Sequence, residues 1–268
     1  MNLIAARMGC YQDHWDAGWA HLPTLGVHHV EINVPEPGEF NAIKQKLVDH
    51  NLSASSLQAA CDIQRADTTE SMTLALGACA ELGAKVCFVS VHAGELPHEI
   101  VRKRLRAIGD EAAARGVTVC LETHPDLVHN GDVALETMTF VNHPNIRVNF
   151  DAANIYYYNH GCTTIGELNK IVDYVGSVHI KDSTGGYRKN EFPTIGKGIV
   201  DFPELFRVLG ERGFGGPYTL ELEGPEKRSE EEQFRHVADP SNTCGASGRL
   251  GRSFRVNPIR NHSGAYVI

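Results

Sequence analysis

Residues 117–125 read VTVCLETHP, 146–154 read IRVNFDAAN, 175–182 read VGSVHIKD and 217–224 read PYTLELEG. Each is a short, β-rich apolar run that delivers one ligand-type side chain at or near its C-terminal end: Glu122, Asp151, His179 and Glu221. The four recur after 29, 28 and 42 residues, the spacing expected when a helix and two loops separate consecutive parallel strands. Side chains from four such strands converge on one point only if the strands splay around a common axis. That is the C-terminal face of a (β/α)8 TIM barrel. Three carboxylates and one imidazole make an oxygen-rich site with one nitrogen, suited to a divalent metal ion, Mn²⁺, Co²⁺ or Mg²⁺, and open to Zn²⁺.

Working outward, further strands are expected at 3–8, 27–34, 52–58 and 86–92, and the last of the ligand strands extends over 217–223. Helical spacing of apolar residues marks 38–50, 68–83, 97–115, 131–142, 163–174 and 201–213, the last opening with DFPE. Gly83, Gly116 and Gly213 stand where left-handed caps are wanted. Eight strands alternating with helices give an α/β fold whose parallel sheet closes on itself. A doubly wound open sheet is the rival, but no GxGxxG or GxxxxGK[ST] follows the first strand, and an open sheet does not gather four successive strand ends.

The 268 residues fit one barrel domain over 1–239. The last 29 residues, 240–268, break the pattern: four arginines, no acidic residue, and much Gly, Ser and Asn. They are expected to form an irregular basic tail after a truncated eighth helix. The net charge is -8, which argues against a broad nucleic-acid surface. Neither a membrane span nor a secretory signal is visible, and seven cysteines without paired spacing fit a reduced, cytoplasmic protein with buried free thiols at Cys87 and Cys120.

Over residues 27–224 the chain resembles the sugar isomerase/epimerase branch of the xylose-isomerase-like barrels, a superfamily that also holds inosose dehydratase and apurinic endonuclease IV. The resemblance rests on LETHP (121–125), NFDAAN (149–154), VHIKD (178–182), FPTIGKGIVDF (192–202) and PYTLELEG (217–224). It implies that Glu122, Asp151, His179 and Glu221 are the metal ligands and that Glu122 and Glu221 are also the acid/base pair. It further implies a small-molecule sugar substrate and a homo-oligomer, a dimer or tetramer. Each ligand has a plainer alternative, such as a solvated strand-end carboxylate or a satisfied core histidine. Glu221 and Glu223 point to the same side of their strand, so either could be the eighth-strand ligand.

Other residues are expected at the substrate. They are His92, Lys181, Arg188, Glu31, Glu223, Asn154 and Trp15, with His124 beside Glu122 and the GKG around Lys197 as a phosphate cradle or a flexible lid. A solvated strand end competes for Glu31, and packing of the first loop competes for Trp15 and Trp19. Asn154 stands where many members of the branch carry a histidine.

The expected reaction is isomerisation or epimerisation of a ketose, phosphorylated or not, through a metal-stabilised enediolate with two glutamates moving the proton. A keto-inositol or keto-sugar dehydratase on the same site is the alternative. An apurinic-endonuclease activity needs extra metal-binding histidines after strand three, beside Asp151 and in 183–196, where the chain has none. A non-catalytic barrel would have lost ligands.

Overall fold

The computed structural model describes residues 3–223 and 227–239, with the backbone of 259–260 and 266–267. Eight parallel strands close into a barrel in sequence order: β1 (Leu3–Arg7), β2 (His29–Asn33), β3 (Ser53–Gln58), β4 (Val86–Val89), β5 (Thr118–Glu122), β6 (Ile146–Asp151), β7 (Val175–Ile180) and β8 (Pro217–Leu220). Around them run α1 (Trp15–Thr24), α2 (Phe40–Asp49), α3 (Thr68–Leu82), α4 (His98–Ala114), α5 (Gly131–Val141), α6 (Ala152–Tyr158), α7 (Thr164–Ile171), α8 (Phe202–Glu211) and α9 (Glu230–Ala238). Gly83, Gly116 and Gly213 follow α3, α4 and α8 with φ of 79, 65 and 70°, the conformation that only glycine adopts without strain.

Two helices were not expected. In α1 the sequence WDAGWAHLPT carries a mid-helix glycine, which lowers propensity. Tertiary packing overrides it: a Cβ on Gly18 would stand 2.5 Å from the Tyr11 ring. In α6 a run of three tyrosines hides a seven-residue helix that starts directly at the end of β6, with Asp151 as its cap.

The main apolar core joins residues of the strands and the surrounding helices, and Val86, Phe88 and Cys120 of β4 and β5 form a small separate cluster, with Phe88 packed against His179. Cys87 and Cys120 are buried free thiols, as expected, and burial pushes the Cys120 thiol up to about 12. α9 is short but docked: a Ser229–Glu232 capping box starts it, Phe234 stacks on His21 at 4.2 Å, and the Gln233 amide donates to the Cys10 carbonyl. Of the irregular arm expected over 240–268, only Ile259–Arg260 and Tyr266–Val267 are described, paired antiparallel; the rest lies outside the described residues. No helix among the described residues is long and apolar enough to cross a membrane.

Two register shifts set the top of the barrel. Between β2 and β3, Val30 pairs with Ala54 but Glu31 pairs with Ser56, leaving Ser55 as the extra residue. Between β6 and β7, Val148 pairs with Val175 but Asn149 pairs with Ser177, so Gly176 is extra. A bulge re-aims every side chain after it. The second shift sets His179 level with Asp151.

Candidate active site

Glu122 ends β5, Asp151 ends β6, His179 lies one residue before the end of β7, and Glu221 follows the last residue of β8. One ligand atom from each lies within 4.8 Å of all the others, and all four residues are buried. Local structure fixes half of each group and leaves the other half inward. Asp151 Oδ1 caps α6, accepting from the Ala153 and Asn154 amides at 2.8 and 2.9 Å. Glu122 Oε2 accepts from the Ser90 hydroxyl at 2.5 Å, and Glu221 Oε1 lies 3.3 Å from the Arg7 guanidinium. His179 packs edge-on against Phe88, its Nε2 3.1 Å from Glu31 Oε1.

The inward atoms are the informative ones. Asp151 Oδ2, His179 Nδ1 and Glu221 Oε2 are buried without a hydrogen-bond partner. His179 Nδ1 lies 3.1 Å from Glu221 Oε2 and 3.5 Å from Glu122 Oε1. A bare imidazole nitrogen facing carboxylate oxygens at that range is repulsive unless something positive stands between them, a proton or a metal ion. The titration of the cluster says the same. Burial lowers the affinity of His179 for a proton, yet Glu221 and Glu31 beside it raise its pKa well above the usual value. Burial pushes Asp151 up to about 7. For Glu221 burial acts the same way, but His179, Lys181 and Arg7 outweigh it and hold the carboxyl well below the usual range. These donors fit a divalent cation: three carboxylate oxygens and one imidazole nitrogen, several of them unanswered.

The residues expected at the substrate take different places. Lys181 is brought into the site: its Nζ lies 3.4 Å from Asp151 Oδ2, 3.5 Å from Glu221 Oε2 and 2.6 Å from Glu223 Oε2. The same ammonium donates to Asn154 Oδ1 at 3.3 Å and sits over the Phe192 ring. Glu223 is half exposed at the rim, so Glu221 rather than Glu223 stands in the cluster. His92 is exposed, its ring parallel to that of His124, which reaches Glu122 Oε2 at 3.5 Å. Arg188 is exposed and lies among the rings of Tyr157, Tyr158 and Tyr187.

Three more expected features have distinct surroundings. Glu31 is not a solvated strand end: it is 1 % exposed, and its carboxylate accepts from the Ser56 hydroxyl at 2.6 Å and meets His179 Nε2. Trp15 sits on α1 edge-on to Trp19 and under Lys46 of α2, and its ring stays partly exposed. The GKG loop is not an open anion cradle. The amides of Gly196, Gly198 and Val200 all donate to the buried carboxylate of Asp182, at 2.8, 2.8 and 3.2 Å.

Arg7, Ser56, Ser90, Phe192 and Tyr158 escaped the sequence reading. Arg7 and Ser56 lie on strands without a ligand, and nothing in LIAAR or SASSLQ marks a polar residue as inward-facing.

A family model for the xylose isomerase-like TIM barrel matches residues 19–239. The chain belongs to that family. Among xylose isomerase-like barrels, L-ribulose-5-phosphate 3-epimerase UlaE of Shigella flexneri serotype 5b is 28% identical over 250 residues, covering 80% of this chain and 86% of its own length. Ketose 3-epimerase of Arthrobacter globiformis is 27% identical over 254 residues, covering 80% and 83%. A Mycobacterium smegmatis barrel of this kind, solved in complex with magnesium, superposes with a TM-score of 0.73 at 16% identity, covering 89% of this chain and 97% of its own. The first two of these relatives are sugar epimerases, and the likeness to them points to an enzyme.

Proposed function

We propose that this protein is a divalent-metal-dependent epimerase that inverts the carbon next to the carbonyl of a ketose. The observation that carries the reading is the convergence of unanswered buried acceptors from β6, β7 and β8, with Glu122 of β5 completing the ring. A divalent cation held by Glu122, Asp151, His179 and Glu221 would supply Lewis-acid stabilisation of the negative charge that builds on the sugar oxygens once a proton leaves. Mn²⁺, Co²⁺ and Mg²⁺ suit the donors best.

Glu122 and Glu221 stand on strands three apart in the eight-strand ring and so face a bound ketose from different sides. One glutamate takes the proton from the carbon next to the carbonyl, and the other delivers a proton to the opposite face. Ser90 and His124 hold the Glu122 carboxylate in place, and Arg7 holds Glu221. Lys181 offers a hydrogen-bond donor to a sugar oxygen from its seat between Asp151, Glu221 and Glu223. The aromatic rim of Tyr157, Tyr158 and Phe192 keeps bulk water from the reacting carbon. We take the substrate as unphosphorylated, because Asp182 already occupies the amides of the loop after β7.

The test uses metal-stripped protein reloaded with Mn²⁺, Co²⁺ or Mg²⁺ and supplied with free ketoses and their phosphates in D₂O. Metal-dependent deuterium at the carbon next to the carbonyl, together with the epimeric sugar, supports the reading. Deuterium exchange with loss of water moves the protein to the dehydratases. No exchange from any ketose despite stoichiometric metal overturns the reaction, and a preference for sugar phosphates overturns the substrate assignment.

A further inference from the structure

We propose that Glu31 is a positioning residue for the metal site, one that fixes the His179 ring with its proton on Nε2 so that Nδ1 is the atom offered to the cation. The inference rests on the metal-site reading above and adds to it a residue from the opposite side of the barrel.

Glu31 and His179 are separated by 148 positions in sequence, and both are buried, at 1 and 0 % exposure. Nε2 lies 3.1 Å from Oε1 and 3.3 Å from Oε2 of the same carboxylate. A carboxylate beside a guanidinium offers acceptors only, so the ring nitrogen that meets it carries the hydrogen. In a neutral imidazole the other nitrogen is then bare, and it is Nδ1 that lacks a partner and faces Glu122 and Glu221. The order of contacts is carboxylate, imidazole, cation, an arrangement that sets both tautomer and ring orientation and raises ligand basicity.

Glu31 is itself held. Ser56 Oγ donates to Oε2 at 2.6 Å, and Arg7 lies 3.6 Å from Oε1. The register makes this row: Arg7 pairs with Glu31 on β1–β2, and Glu31 pairs with Ser56 on β2–β3 only because Ser55 is bulged out. The bulge is locked, since the Ser55 hydroxyl donates to the Val30 carbonyl at 3.0 Å. Arg7 bridges to Glu221 as well, so one guanidinium ties the two devices that aim Nδ1 and Glu221 Oε2.

The test measures metal binding and imidazole state, not turnover. ¹⁵N-histidine spectra of Zn²⁺-loaded wild type are expected to show His179 protonated at Nε2 and bound through Nδ1. In Glu31→Gln the amide can turn either face to the ring, so tautomer control is lost. Mn²⁺ affinity is then expected to fall about 10–100-fold, with a shifted Co²⁺ absorption spectrum. Ser56→Ala, which leaves Glu31 in place, is expected to lose less affinity and keep the Nε2–H signal. Zn²⁺ bound through Nε2 of wild-type His179 overturns the proposal even if Glu31→Gln fails to fold. So do unchanged affinity and an unchanged Co²⁺ spectrum in a folded Glu31→Gln. Wild type that binds neither Zn²⁺ nor Mn²⁺ fails the metal reading first and this inference with it, whereas tight wild-type binding with an insensitive Glu31→Gln fails this inference alone.

Discussion

On β1–β3, Arg7, Glu31, Ser56 and Gln58 answer one another's polar atoms, while on β6–β8 Asp151 Oδ2, His179 Nδ1 and Glu221 Oε2 face a common point without a hydrogen bond, the Lys181 ammonium reaching the two carboxylates only at 3.4 and 3.5 Å. Glu31 and Ser56 are as deeply buried as the four ligand residues, at the same end of one barrel, so burial alone does not separate a working site from its support. What separates them is satisfaction. A buried acceptor without a donor costs about 1–3 kcal/mol, and several together persist only where a ligand or protons relieve them. The first three strands orient; the last three, with Glu122, are left open to act.

Breaking the acting half should have the largest effect. Glu221→Gln keeps the shape of the side chain but removes a proton carrier, and kcat for epimerisation is expected to fall about 10²–10⁴-fold. A Glu221→Gln enzyme with near wild-type kcat would remove Glu221 from the proton path. Next, chelation should expose the strain in the open half as a pH effect. Asp151 is held at about 7 against an ordinary 3.8, so its folded state is favoured at low pH and loses that advantage as pH rises towards 7. His179, raised well above 6.5, contributes stability that is complete below 6.5 and lost as pH rises through its folded value. Both act in the same direction. The chelated protein should therefore melt at a lower temperature at pH 8.5 than at pH 5.5, while Mn²⁺-loaded protein gains from the higher pH because binding displaces those protons. Equal melting of chelated protein at both values would contradict the assignment.

A smaller effect should follow from disturbing the register that divides the halves. A Cβ on Gly176 would stand 2.7 Å from Cys120 Sγ and 2.9 Å from Arg147 Cβ. Gly176→Val is expected to cost about 1–3 kcal/mol in urea unfolding and to weaken Mn²⁺ binding by misplacing His179. The smallest effect belongs to a remote change. Ser229→Ala breaks the capping box of α9 at a cost of about 1 kcal/mol and should leave metal affinity unaltered. A large loss of metal binding there would show that α9 reaches the site.

The open half was legible because strand-end ligands follow apolar runs at regular spacing, and VTVCLE, IRVNFD and VGSVHI need no partner to be read as strands. The supporting half was not. Glu31 read equally well as a sugar contact or a solvated strand end, since VEINV does not say what stands across the barrel. Lys197 in GKG read as a phosphate cradle or a flexible lid because local sequence cannot show that a carboxylate 15 residues earlier, Asp182, reaches the neighbouring amides. Helices α1 and α6 were missed for a related reason: propensity is a local quantity, whereas the Tyr11 ring against Gly18 and the Asp151 cap are supplied by packing and by the end of the preceding strand.

By itself the sequence determined the barrel, the order of its strands and which four side chains arrive at strand ends, because hydrophobic period and spacing are properties of the chain alone. The tertiary structure decided which way those side chains face. Two residues, Ser55 and Gly176, slip the register of β3 and β7, and side chains alternate across a strand, so a slip of one residue decides whether a histidine enters the barrel or leaves it.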